Sequence, residues 1–188
     1  MKSKVFKIFM LVFIAQIFLY ACCGDEFNVN MQSFEFSAED LGDDDNTTAS
    51  NTDFNLLLTP YYRYELASLL STKSGFIPTA YATSCMDDYT FINHVEEITL
   101  TANVPLFGIP AGESLNERVL VEFQYEDDVQ HSMNEFLLKL NSDLSDLDYN
   151  LSFDTEIPAE TTASFTFTVV FENGEELVRT TNPITFTE

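Results

Sequence analysis

Apolar and polar residues alternate along most of the chain after residue 26. This period of two is typical of β-strands that turn one face to a core and the other to water. The alternation is clearest at 97–104, 119–125, 146–155 and 165–169. Residues 27–36, 54–66 and 184–187 are also predicted strands, and Pro60 either breaks the second of these or marks a bulge at a sheet edge.

A turn signal separates the last two long runs of alternating residues. Asn and Gly at 173–174 both tolerate a positive φ, so they predict a two-residue hairpin of type I′. That turn would place Val170 opposite Leu177 and Val169 opposite Val178.

One segment has the period of a helix. Ser132 and Glu135 have the spacing of a capping box, and apolar residues then recur at helical intervals. We therefore expect a short helix at 133–141 that crosses between strands. With this single helix among turn-separated strands, the sequence predicts an all-β fold, an antiparallel immunoglobulin-like β-sandwich. A closed β-barrel is the alternative.

The first 21 residues have the plan of a signal peptide. Three lysines precede the apolar run 8–21, and small Ala21 stands before Cys22. A membrane-spanning helix needs roughly 17 to 25 residues, so this run favours a cleaved leader over a permanent anchor.

The residues Leu-Tyr-Ala-Cys at 19–22 resemble the lipobox of bacterial lipoproteins, although Tyr20 stands where a small residue is usual. The resemblance implies that Cys22 is acylated and becomes the first residue of the mature protein. The next four residues, Cys-Gly-Asp-Glu, resemble the acidic export signal of surface lipoproteins in Bacteroidetes-type bacteria. This implies the outer membrane, with the protein exposed at the cell surface; a solvated acidic tether is the alternative interpretation.

The last stretch, 156–188, resembles the final strands of Ig-like domains in a family of Bacteroidetes-type surface lipoproteins. The expected organisation is a lipoprotein signal peptide at 1–21, then a lipidated Cys with an acidic tether at 22–26. A single β-sandwich domain would follow at 27–188, containing an acidic loop at 39–53.

Charge limits the partners of this chain. It has 31 Asp and Glu against 8 Lys and Arg, a formal net charge of −23, while 45% of its residues are apolar. Such a chain can bury a core, and it lacks the cations that neutralise nucleic-acid phosphates. We expect contact with the membrane through the lipid anchor alone, no nucleic-acid partner, and an envelope protein or a glycan as the ligand.

Candidate metal and disulfide residues are few. Asp43, Asp44 and Asp45 are clustered hard oxygen ligands and predict a weak calcium site. The Asp-x-Asp-x-Asn spacing at 146–150 lacks the Gly of an EF-hand and favours the water-facing side of a strand. Beyond Cys22, the other two cysteines could form a disulfide, but a free, partly buried Cys85 is the expected state.

No catalytic motif is present. The chain has no GxSxG, GxGxxG or HxxxH pattern, and its two histidines, His94 and His131, are expected to be ordinary surface or edge residues. The sequence therefore predicts no catalytic residue, no enzyme activity and no cofactor. An envelope hydrolase, the less favoured alternative, would need one of these histidines within hydrogen-bond reach of Ser and Asp.

Consecutive aromatics offer a binding alternative. Tyr62 and Tyr64 would share one face of a strand, while Tyr61 would share the other face with Arg63. Core packing is the favoured explanation of one face, but an exposed Tyr61 could stack on a sugar. The predicted function is a lipid-anchored binding or structural accessory, with a carbohydrate-binding accessory of an uptake system as the alternative.

Overall fold

The chain folds mostly into β-strands arranged in several sheets. A computed structural model describes residues 9–13, 26–38, 47–52, 54–67, 87–124, 129–142, 144 and 148–188. Its strands are β1 (Glu26–Ala38), β2 (Thr48–Ser50), β3 (Leu56–Leu66), β4 (Asp88–Phe91), β5 (Val95–Ala102), β6 (Val119–Phe123), β7 (Gln130–Ser132), β8 (Tyr149–Phe153), β9 (Thr162–Ala163), β10 (Phe165–Phe171), β11 (Glu176–Thr180) and β12 (Ile184–Thr187). Helix α1 (Met133–Leu140), a 3-10 turn at Asn116–Arg118 and a helical segment at 9–13 complete the described elements. The expected predominance of β structure is confirmed.

The chain divides into two units. The first comprises Met1–Val29 and Tyr64–Thr90, and the second comprises Asn30–Arg63 and Phe91–Glu188. In the first unit, the start of β1 lies between β4 and the end of β3, and the Ala67 N–H donates to the Glu26 carbonyl at 2.8 Å. The single domain predicted at 27–188 stays a prediction.

In the second unit, a sheet has the strand order β1-β3-β8-β6-β7. The pairs of β8 with β3 and with β6 are antiparallel, and the buried Leu151 of β8 faces Leu56 on one side and Val121 on the other. These positions form one buried face, as the alternation predicts. Strand β3 continues through Pro60, so the predicted break there is wrong.

Helix α1 connects β7 to β8 across β6, which confirms the predicted crossover. The Ser132 hydroxyl accepts from the Glu135 N–H, and the Glu135 carboxylate accepts from the Ser132 N–H, so the predicted capping box is present. Met133, Phe136 and Leu140 lie at helical spacing and are buried against the sheets.

Two further sheets complete the second unit, with the orders β11-β10-β5 and β2-β12-β9. Strand β12 pairs with β9 in antiparallel and with β2 in parallel orientation, so the expectation of a purely antiparallel fold is corrected at this pair. Strand β2 also interrupts the acidic loop predicted at 39–53. Its three residues are too few to show a period in the sequence, and its position depends on the distant β12.

The register of the β10–β11 hairpin differs from its prediction by one residue. Val169 lies opposite Leu177 and Val170 opposite Glu176, where Val178 and Leu177 were expected. The predicted register assumed a two-residue turn, and an added loop residue shifts every pair.

The turn geometry explains this shift. Gly174 has a φ of 81°, but Asn173 is not among the residues with positive φ, so the turn is not type I′, which needs positive φ at both positions. The Gly174 N–H donates to the Phe171 carbonyl at 2.8 Å, and the Phe171 N–H donates to the Glu175 carbonyl at 2.9 Å. The loop therefore has three residues, a type I turn followed by a left-handed glycine.

A single buried cluster joins the three sheets of the second unit. Phe167 of β10 lies 5.6 Å from the ring of Phe34 in β1, and Phe165 lies 6.3 Å from the ring of Phe186 in β12. Phe54, just before β3, is 4.9 Å from Phe186 in an edge-to-face arrangement. The alternation predicts that the aromatic side chains of β10 are buried, and burial of apolar surface is the main contribution to the stability of the folded state.

Candidate functional site

The outer face of the five-stranded sheet carries the strongest candidate for a binding site. Along β3, Leu56, Leu58 and Pro60 are buried, while the residues between them face the other side of the sheet. Pairing places polar residues of the neighbouring strands on this same outer face, because paired residues share a face. Its members include Glu35, Leu57, Thr59, Tyr61, Glu122, Gln130, Asp148, Asn150 and Ser152.

Tyr61 is the exposed aromatic residue of this face. Its side chain is 45% exposed and forms a hydrogen bond with the carboxylate of Glu35 on β1. That hydrogen bond is the main reason why the pKa of Tyr61 is raised, and desolvation and the charges of Glu35 and Asp148 add to it. The phenol therefore stays protonated and lies in the field of two carboxylates.

Asp148 is held in place from β3. The Thr59 hydroxyl donates to its Oδ1 at 2.5 Å, and both residues are partly buried. We call Glu35, Thr59, Tyr61 and Asp148 the Tyr61 patch. It combines one accessible ring with carboxylates that accept hydrogen bonds, and these groups can stack on the apolar face of a sugar and bind its hydroxyls.

Tyr61 and Tyr62 lie on opposite faces of β3, as the alternation predicts. Tyr62 packs against the buried cluster, meets the ring of Phe91 edge-on at 6.1 Å and donates to the Leu140 carbonyl at 3.5 Å. Tyr61 faces water on the opposite side. Core packing thus accounts for Tyr62 but not for Tyr61.

Tyr64 does not share the burial of Tyr62. It belongs to the first unit, is 49% exposed and lies 5.9 Å from the ring of Tyr89, which in turn stacks on Phe27 at 5.7 Å. Desolvation and the neighbouring Tyr89 raise the pKa of Tyr64. The sequence analysis missed Phe27 and Tyr89 as its partners, because alternation within one strand does not reveal which distant strand lies beside it.

His131 lies beside a hydroxyl and a carboxylate, those of Ser132 and Glu135, but the three groups are not in the order of a hydrolase triad. His131 stacks on Phe123 at 4.1 Å, and its Nδ1 lies 4.0 Å from the Glu135 carboxylate. The Ser132 hydroxyl donates to that carboxylate at 2.8 Å, so the acid lies between Ser and His. A hydrolase triad needs the histidine in the middle position, to accept the proton of the hydroxyl.

The other predicted site residues lie outside the part of the chain that the structure describes. These are Cys22, Asp43, Asp44 and Asp45, together with the remaining cysteines. The lipidation, calcium and thiol predictions therefore stay predictions. The Asp-x-Asp-x-Asn spacing at 146–150 was interpreted as the water-facing side of a strand. In the described part of this segment, Asp148 and Asn150 alternate with the buried residues Tyr149 and Leu151, as that interpretation predicts.

The described residues show neither a cluster of metal ligands nor a membrane-spanning helix, and the chain matches no known protein family. No three His, Cys, Asp or Glu side chains among the described residues are grouped so that they could hold a metal ion. Within the same residues, no helix has the length and apolar character needed to cross a membrane. No protein-family model matches the chain, and neither a curated protein nor a solved structure does.

Proposed function

We propose that the protein is a lipid-anchored outer-membrane lipoprotein, exposed at the cell surface, that acts as a binding or structural accessory and not as an enzyme. The observation that supports the anchor is the sequence at 1–21, where three lysines precede the apolar run 8–21 and Cys22 follows it directly. The body is an Ig-like β-sandwich in this proposal. Three sheets that share one buried cluster support that architecture.

Metabolic labelling with a fatty-acid analogue tests the anchor. In cells that process lipoproteins, the full chain should incorporate the label and remain in the outer-membrane fraction. Cys22→Ser should lose both properties, while Cys23→Ser, the same change at the adjacent cysteine, should keep them. Full labelling of the Cys22→Ser chain contradicts the proposal, and so does an uncut leader found by mass spectrometry.

The second candidate function is carbohydrate binding by this same accessory. It is favoured by the Tyr61 patch, where an exposed ring lies beside carboxylates on a broad, water-facing sheet surface. The charge of the patch disfavours sugars that bear sulfate or carboxylate groups.

Retention on immobilised neutral polysaccharides tests this function. The full-length protein should be retained, and Tyr61→Ala should reduce binding about two- to tenfold, because stacking contributes about 0.5–1.5 kcal/mol. Tyr61→Phe should keep most of the binding. Tyr64→Ala is the matched control, since it removes an equally exposed tyrosine from the first unit. Loss of binding in the control alone contradicts the Tyr61 site, and absence of binding to every glycan contradicts the function.

A further inference from the structure

The two edges of the sheet formed by β11, β10 and β5 differ in their protection. On the β5 side, Asn116 accepts from the Leu100 N–H at 2.9 Å and donates to the Ile98 carbonyl at 2.8 Å. Asn141 forms the same two bonds with the N–H and carbonyl of Val95, both at 2.8 Å. These side-chain amides replace a neighbouring strand.

Backbone bonds complete this protection of β5. The Leu115 N–H donates to the Leu100 carbonyl and the Gly112 N–H donates to the Ala102 carbonyl, each at 2.8 Å. Another strand could pair with β5 only by displacing these groups. The β5 edge is therefore closed to strand addition.

The opposite edge is formed by β11, whose neighbour among the described strands is β10. The Thr181 N–H donates to the Phe165 carbonyl at 2.9 Å, so odd-numbered residues along this chain segment direct their backbone groups toward β10. Even-numbered residues, including Val178 at the centre, direct theirs outward. Val178 is also 45% exposed, which makes this edge partly apolar.

The Arg179 side chain donates a hydrogen bond to the carbonyl at the centre of that edge, which belongs to Val178. Its Nη1 donates to the Val178 carbonyl at 2.9 Å, and its guanidinium lies 5.7 Å from the centre of the Phe34 ring. The ring contact holds the side chain near the edge through a cation–π interaction. A partner strand would need the same carbonyl and would meet a positive charge.

We infer that the outer edge of β11 is complementary to β11 of a second copy, and that Arg179 prevents this pairing. Antiparallel pairing about a two-fold axis at Val178 places that residue opposite its own copy and Glu176 opposite Thr180. No two carboxylates of β11 then lie opposite each other, and the apolar Val178 is covered. Arg179 must leave the Val178 carbonyl for the pair to form.

Sedimentation velocity at physiological salt tests this inference, because salt screens the net charge of −23 beyond about 8 Å. Full chains carrying Cys22→Ser provide a common background without acyl chains. The parent chain should sediment as a monomer, and Arg179→Thr should double the mass at the same concentration. Adding Val178→Lys to Arg179→Thr should restore the monomer, since a lysine then occupies the edge.

Arg118→Thr is the matched control, because it removes an exposed arginine that pairs with Asp154 elsewhere. It changes the net charge equally and should leave a monomer. If Arg179→Thr does not fold, Arg179→Leu keeps an apolar stem over Phe34 and should dimerise in its place. A folded Arg179 variant that stays monomeric overturns the inference. A parent chain that already dimerises through Val178 overturns it as well.

Discussion

Asn116 binds the backbone of β5 beside Leu100 in the manner of a neighbouring strand. Its Oδ1 accepts from the Leu100 N–H at 2.9 Å, and its Nδ2 donates to the Ile98 carbonyl at 2.8 Å. One side chain thus satisfies two partly buried backbone groups, those of Ile98 and Leu100, whose own side chains lie in the core.

Replacing this side chain should destabilise the protein. Asn116→Ala leaves a backbone donor and an acceptor without their partners, and we expect the free energy of unfolding to fall by about 1–3 kcal/mol. Asn150→Ala, on the outer face of β8, is the control and should change it by less than about 0.5 kcal/mol. Urea unfolding monitored by circular dichroism measures both, and equal losses in the two variants would contradict the role of Asn116.

Phe165 should contribute more than any surface residue, because it is fully buried and its ring lies within 6.3 Å of the rings of Phe54, Phe153 and Phe186. Phe165→Ala should lower the free energy of unfolding by about 3–5 kcal/mol, and Phe165→Leu by less. Val178→Ala, an exposed apolar position, is the comparison and should have little effect. A small loss for Phe165→Ala contradicts its place in the core.

Local patterns in the sequence predicted the elements of this fold. Alternation identified the buried residues of β5, β6, β8 and β10, and the Ser132–Glu135 spacing placed the start of α1. Both signals arise from contacts within one element or from the exposure of one strand. Predictions from these local patterns were correct because the tertiary structure buries the same face of each element that the pattern makes apolar.

Relations between distant segments were not predictable in this way. The parallel pair of β2 with β12 and the amide bonds of Asn116 and Asn141 depend on which segments lie side by side. The hairpin register depends on whether Asn173 and Gly174 both adopt a positive φ or Gly174 alone does. Both residue types tolerate a positive φ, so the sequence did not distinguish the two turns. The composition of the Tyr61 patch likewise depends on where β1 and β8 lie beside β3. In the sequence analysis, an exposed Tyr61 was one of two possibilities, the other being core packing.

The capping box of α1 should make stability depend on pH. The N–H and hydroxyl of Ser132 donate to the Glu135 carboxylate, and the nearby His131 adds a smaller effect, so the pKa of Glu135 is lowered. A folded pKa below the unfolded value means stability that is present above the unfolded pKa and is lost as the pH falls through the folded pKa. Acidification should therefore weaken this cap.

Glu135→Gln isolates this contribution, since it keeps an acceptor for Ser132 but does not titrate. The difference in unfolding free energy between the parent chain and this variant should shrink as the pH falls below the usual glutamate range, about 4.3. Ser132→Ala should cost about 1 kcal/mol at neutral pH. A difference that stays constant with pH would show that Glu135 has the same pKa in both states.

Glycine usually lowers stability relative to other residues, but it should raise stability at two turn positions where φ is positive, Gly174 and Glu160. Gly174 has a φ of 81° and a Cβ added there would meet nothing within 4 Å, so Gly174→Ala should cost about 1–2 kcal/mol from backbone strain alone. Glu160 has a φ of 63°, and Glu160→Gly should relieve part of that strain. Ala159→Gly, the same replacement at the preceding residue, is the control and should destabilise by about 0.4–1 kcal/mol, because glycine raises the conformational entropy of the unfolded chain. Thermal unfolding of the three variants measures these signs, and a Glu160→Gly chain destabilised as much as Ala159→Gly would contradict strain at Glu160.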